Sequence, residues 1–120
     1  MPIPPAILLV EDDFALATSL ADILEMRGYT VTRAESGEKG VNELNLARVP
    51  DCVVMDGNLP GMDGAEAIRI MRQTQFRGPI LAISAEDRSD EMLQAGATEF
   101  MRKPFDVGLF VKLVEKWLKP

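Results

Sequence analysis

Residues 53–64 read VVMDGNLPGMDG, an apolar run that ends on an acid, Asp56, and is followed by three glycines and a proline. Asp beside Gly is common turn chemistry, because Asp bonds nearby backbone and Gly adopts conformations closed to other residues. Whether Asp56 is more than a turn residue depends on what the other apolar runs end on.

Four further short runs, at 6–10, 30–34, 80–83 and 99–102, join the one at 52–55 as expected strands. Segments of helical period lie between them. Leu16, Leu20, Ile23 and Leu24 mark a first helix that stops at Gly28. Ser36 caps a second helix carrying Val41, Leu44 and Ala47, ended by Pro50. The third is expected over 65–73, with Ile68 and Met71 inward, and a short fourth between Asp87 and Ala95. Asp106 caps the last, whose stripe is Val107, Phe110, Val111, Val114 and Leu118. Strands alternating with helices predict a (βα)5 arrangement around a parallel sheet.

Such a sheet binds ligands beyond the carboxyl ends of its strands. At those ends stand Glu11, Asp12 and Asp13, then Asp56 and Asn58, then Ser84, then Lys103 and Pro104. Clustered carboxylates repel and raise one another's pKa unless a cation offsets them. Mg²⁺ suits the task, since it takes a few carboxylate or carbonyl oxygens and keeps several waters. Lys103 complements an anionic phosphoryl group and Ser84 donates a hydrogen bond to it. This set fits phosphoryl transfer, where positioning and charge neutralisation dominate. The chain has no His and a single cysteine, Cys52, inside an apolar run. That removes His-based zinc sites and Ser-His-Asp triads and leaves the Asp56 carboxylate as the best nucleophile. Gly57 and Gly61 let the loop turn its backbone groups, notably the Asn58 carbonyl, toward a metal.

The motifs VEDD, VVMDGNLPGMDG, ISA and KPF, in this order, resemble those of a response-regulator receiver domain. The likeness extends over about 6–118. It implies a flavodoxin-like doubly wound sheet in strand order 2-1-3-4-5. Asp56 matches the phosphoacceptor, Asp12 the direct metal ligand, and Glu11 the second acid, acting through water. Asn58 matches the backbone-oxygen ligand to Mg²⁺, while Ser84 and Lys103 match the hydroxyl and lysine that meet the phosphoryl group. Lys103-Pro104 matches a peptide commonly cis. Asp13 reads as a cap for the first helix. Ser84 and Phe100 occupy the switch positions, with Phe where many members carry Tyr. Asn58 and Glu86 flank the path of a hydrolytic water, and the same pair resembles chemotaxis-type receivers with short-lived phosphoryl groups.

The resemblance implies a phosphorelay signalling domain, not an enzyme with a separate substrate. Its phosphoryl group comes from a histidine kinase or histidine phosphotransfer protein, its dephosphorylation is self-assisted, and its effector is unidentified. The alternative is a receiver-like docking or dimerisation module that works without phosphorylation. A dehalogenase-like phosphatase is disfavoured, since that family wants an acid where Asn58 stands.

The segment from Ser84 to Lys103 is about one helical turn short for the family, so the fourth helix is expected to be stubby and the output face altered. Leu109, Leu113 and Trp117 form a second stripe on the last helix, to be absorbed by packing or left for a dimer contact. At 120 residues, 47% apolar and 27% charged, the composition is that of one folded domain, 1–120. The net charge of −6 argues against direct nucleic-acid binding. No run is long enough to span a membrane and no signal peptide is apparent, so the expected location is cytoplasmic.

Overall fold

The computed structural model describes residues 3–44 and 49–118. Five parallel strands lie in the order β2-β1-β3-β4-β5, the flavodoxin-like topology. They are β1 (Ala6–Val10), β2 (Thr30–Ala34), β3 (Cys52–Asp56), β4 (Ile80–Ser84) and β5 (Glu99–Arg102). The helices are α1 (Phe14–Met26), α2 (Gly37–Glu43), α3 (Gly64–Gln73), α4 (Ser89–Ala95) and α5 (Val107–Trp117). None is long and apolar enough to cross a membrane.

Period-two alternation divides the sheet between two apolar clusters. Leu8, Val10, Val53, Met55, Ile80 and Ala82 pack with α3 and α4. Ile7, Leu9, Cys52, Val54, Leu81 and Ile83 pack with α1 and α5 on the opposite face. With both faces covered, β3 and β4 are buried along their whole length, which is why they read as continuous apolar runs.

Aspartates cap three helices: Asp13 accepts from the Leu16 amide, Asp63 from Ala65 and Asp106 from Leu109. Ser36 caps α2 through the Lys39 amide. The expected inward position of Ala47 lies outside the described residues. Gly28 follows α1 with φ +94°, the left-handed conformation that ends a helix cheaply only at glycine.

Four expectations are revised. Strands three and four each run one residue further than 52–55 and 80–83, so Asp56 and Ser84 belong to the ladder, paired with Ile83 and Arg102. Helix three starts at Gly64, one residue before the expected 65, with Asp63 as its cap. Val107 is 39% exposed, because it opens α5 before the helix reaches the sheet; Phe110, Val111 and Val114 carry the burial. In the second stripe, Leu113 and Trp117 pack against the α1/α5-side core, whereas Leu109 stays exposed. Helix α4 is as short as expected, at seven residues, and its N-cap Arg88 makes no side-chain capping bond.

Candidate phosphoacceptor and metal site

The parallel ladder continues one bond beyond the strands and thereby sets the backbone of the site. The Glu11 amide donates to Ala34 O (3.0 Å), the Gly57 amide to Ile83 O (2.7 Å), and the Lys103 amide to Ser84 O (2.7 Å). Alternation then sorts the side chains. Glu11, Asp56 and Lys103 continue the parity of Leu9, Val54 and Met101, on the α1/α5 side. Ser84 continues that of Ile80 and Ala82, on the α4 side.

Lys103 Nζ accordingly lies 2.8 Å from Glu11 Oε1 and 3.5 Å from Asp56 Oδ1. The peptide between Lys103 and Pro104 is cis. Glu11, Asp56 and Ser84 are buried polar side chains, while Asp12 is exposed. Burial raises the Glu11 carboxyl to about 7, with its hydrogen bond to Asp56 acting in the same direction. Lys103 and the Asp13 amide pull Glu11 down without prevailing. For Lys103 burial acts downward, but Glu11 and Asp56 outweigh it and the ammonium is held above its ordinary value.

Carboxylate oxygens of Glu11, Asp12 and Asp56 lie within 4.8 Å of one another. Three hard oxygen donors at that spacing, two of them buried beside one ammonium, fit a small divalent cation such as Mg²⁺ and not a soft metal. Asp56 Oδ1 also accepts from the Asn58 amide at 3.1 Å, which fixes the start of the β3–α3 loop.

Ser84 Oγ accepts from Asn58 Nδ2 at 3.0 Å and from the Glu86 amide at 3.1 Å. The Glu86 side chain is exposed. Phe100 is half-buried and packs against the α3/α4-side core, directly beside Ala82 in register.

The glycines act differently from the expectation. Gly61 has φ +75° and does turn the loop, but Gly57 is outside the left-handed region. Its hydrogen in place of a side chain makes room for Arg88, Ser84 and Met92, which lie 3.2–3.4 Å from where a Cβ would stand. At Gly64 a Cβ would fall 2.1 Å from Asp56 O, so α3 begins against the end of β3 only because this residue has none.

Arg88 is the residue that the sequence reading missed. Its Nη1 donates to Gly57 O (2.6 Å), Asn58 Oδ1 (3.2 Å) and Asp63 Oδ1 (3.0 Å), and its Nη2 donates to Asp63 Oδ2 (2.7 Å). Its Nε reaches Glu91 Oε1 at 2.8 Å. An arginine at the mouth of a shortened crossover was the available signal, but its target 25 residues upstream is visible only in three dimensions.

Residues 7–115 match the family model of the response regulator receiver domain. The response regulator MprA of Mycolicibacterium vanbaalenii is 39% identical over 105 residues, covering 85% of this chain and 45% of the relative. The transcriptional regulatory protein AfsQ1 of Streptomyces coelicolor is 40% identical over 102 residues, covering 83% and 45%. The chain thus spans less than half the length of these relatives.

Among solved structures, the receiver domain of a Pseudomonas aeruginosa sensor histidine kinase superposes with a TM-score of 0.87 at 31% identity. The match covers 98% of this chain and all of the other, which holds a magnesium ion in its active site cleft. The chemotaxis protein CheY4 of Vibrio cholerae superposes at 0.86 with 27% identity, covering 97% and 100%. The chain belongs to the response regulator receiver domain family, the signal-receiving module of two-component systems.

Proposed function

We propose that Asp56 accepts a phosphoryl group from a phosphohistidine on a partner kinase or phosphotransfer protein, and that the phosphorylated domain signals by a conformational change. The observation that carries this reading is the convergence of Lys103 Nζ on Glu11 and Asp56 at one sheet edge, with Ser84 on the neighbouring strand.

A carboxylate oxygen of Asp56 attacks phosphorus, one P–O bond forms, and the P–N bond to the donor imidazole breaks with its electron pair returning to the ring nitrogen. Lys103 holds its proton and places positive charge beside the entering phosphoryl oxygens. Glu11, Asp12, Asp56 and the Asn58 carbonyl would hold Mg²⁺, which when bound supplies charge neutralisation for the transfer. The Ser84 hydroxyl would donate to a phosphoryl oxygen, drawing its side chain from the α4 side, with Phe100 following inward. Asn58 and Glu86 border the approach of the water that hydrolyses the acyl phosphate, which supports a short phosphoryl lifetime and self-assisted dephosphorylation. Acting on itself in this way, the domain is a signalling module rather than an enzyme.

Incubation with acetyl phosphate and Mg²⁺, read by intact mass, tests the reading. Wild type gains one phosphoryl group that Asp56→Asn does not, and the gain disappears with chelator. A wild-type protein that gains none would instead mark a docking module.

A further inference from the structure

Ser84 Oγ is engaged on its α4 side by the Asn58 carboxamide and the Glu86 amide. The carboxamide is itself held, since its Oδ1 accepts from Arg88 Nη1 while its Nδ2 donates to Ser84. Arg88 in turn is anchored by a two-pronged ion pair to Asp63, by Glu91, and by the Gly57 carbonyl. Its side chain is only 15% exposed, and its guanidinium links Glu91 of α4 to Gly57 and Asp63 of the β3–α3 loop. One residue thus joins the loop that follows Asp56, the hydroxyl of Ser84 and the start of α4.

We infer that Arg88 is a latch for the resting state: it holds Asn58 against Ser84 and so opposes the movement of Ser84 toward a phosphoryl group on Asp56. The inference rests on the phosphoacceptor reading above. It assigns regulation of that site to a residue outside the acids, hydroxyl and lysine that perform the transfer, making Arg88 a positioning residue. A phosphoryl group or its mimic favours the state in which Ser84 has left Asn58, and any contact made only in the resting state is opposed to that ligand. With α4 beginning five residues after Ser84, Arg88 lies within reach of the loop.

The charge of Arg88 leads to the opposite expectation if it acts merely by attracting an anion. Its removal leaves Asp63 and Glu91 without their cation, so charge alone predicts weaker binding of an anionic mimic, whereas release of the latch predicts tighter binding.

The test is calorimetric titration with beryllofluoride at saturating Mg²⁺. Arg88→Met tightens binding about fivefold, at the low end of typical couplings between sites. Arg88→Lys, which keeps the charge but not the fork to Asp63, tightens it less. Asn58→Ala tightens it alike, and adding Arg88→Met to that variant changes nothing further. Arg72→Met, which removes a structural arginine away from the site, lowers stability without changing the affinity. Unchanged or weaker binding in both Arg88 variants, or an undiminished effect in the Asn58→Ala background, overturns the latch alone. Failure of the wild type to take up beryllofluoride overturns the phosphoacceptor reading and the latch with it.

Discussion

Lys103 Nζ is held 2.8 Å from the buried Glu11 carboxyl and 3.5 Å from Asp56, one ammonium shared by two acids. Its removal leaves Glu11 buried without its cation, and breaking such a pair costs about 3 kcal/mol when the remaining group stays charged. Because Glu11 takes up a proton near pH 7, the loss in Lys103→Ala is expected to be full at pH 8 and smaller at pH 5.5. Urea denaturation at the two pH values checks it.

Glu11 also predicts how the metal-free protein responds to pH. Its folded pKa of about 7 lies above the ordinary 4.5, so the folded state binds the extra proton. Stability from this group is present below pH 4.5 and is lost as pH rises toward 7. Thermal denaturation without metal should therefore show a decline over that window. Glu11→Gln abolishes the decline and is more stable than wild type at pH 8 by about 2 kcal/mol. Mg²⁺ restores the wild type at pH 8 and has little effect on the variant.

The Asp63 carboxyl moves the other way, lowered first by its hydrogen bonds from Arg88. A lowered folded pKa gives stability that is present above the ordinary 3.8 and lost as pH falls through the folded value. Asp63→Asn should cost about 1 kcal/mol at pH 7, the modest value expected of a bidentate pair that is partly exposed. The gap from wild type closes on acidification below pH 3.8.

Gly64 and Gly28 separate two reasons for a glycine. Gly64→Ala drives a methyl against Asp56 O and is expected to cost about 3 kcal/mol, because backbone must move. Gly28 has no atom within 4 Å of where a Cβ would stand, so Gly28→Ala carries only its positive φ and costs about 1 kcal/mol. Chemical denaturation of the two variants distinguishes them, and equal losses would refute the packing argument at Gly64.

Arg72 ties together the ends of three elements by donating to the carbonyls of Gly96, Phe76 and Gly78. Arg72→Met leaves three carbonyls without that donor and should cost about 2 kcal/mol. Phosphorylation of Asp56 by acetyl phosphate should proceed at the wild-type rate under native conditions.

The order of strands and helices was legible because each element carries a local signal. Continuous apolar runs mark strands covered on both faces, and Asp13, Ser36 and Asp106 stand where helices need an acceptor. The acids at the ends of β1 and β3, with Ser84 and Lys103, were legible for a topological reason. In a parallel sheet with crossover helices, every strand's carboxyl end falls at one edge, so residues distant in sequence share a site once the alternation is recognised. The short fourth helix followed from the residue count between Ser84 and Lys103 set against the spacing usual in the family.

Only the tertiary structure decided what depends on side-chain reach across elements. Parity on neighbouring strands turns Lys103 toward Glu11 and Asp56 and leaves Ser84 to Asn58. No local pattern announces that Gly64 must lack a side chain because α3 starts against Asp56 O, or that Arg88 spans to Asp63 and Gly57. Sequence periodicity determines which face a residue occupies. The partner found on that face is set by distances between strands and loops, which exist only when the whole chain has packed.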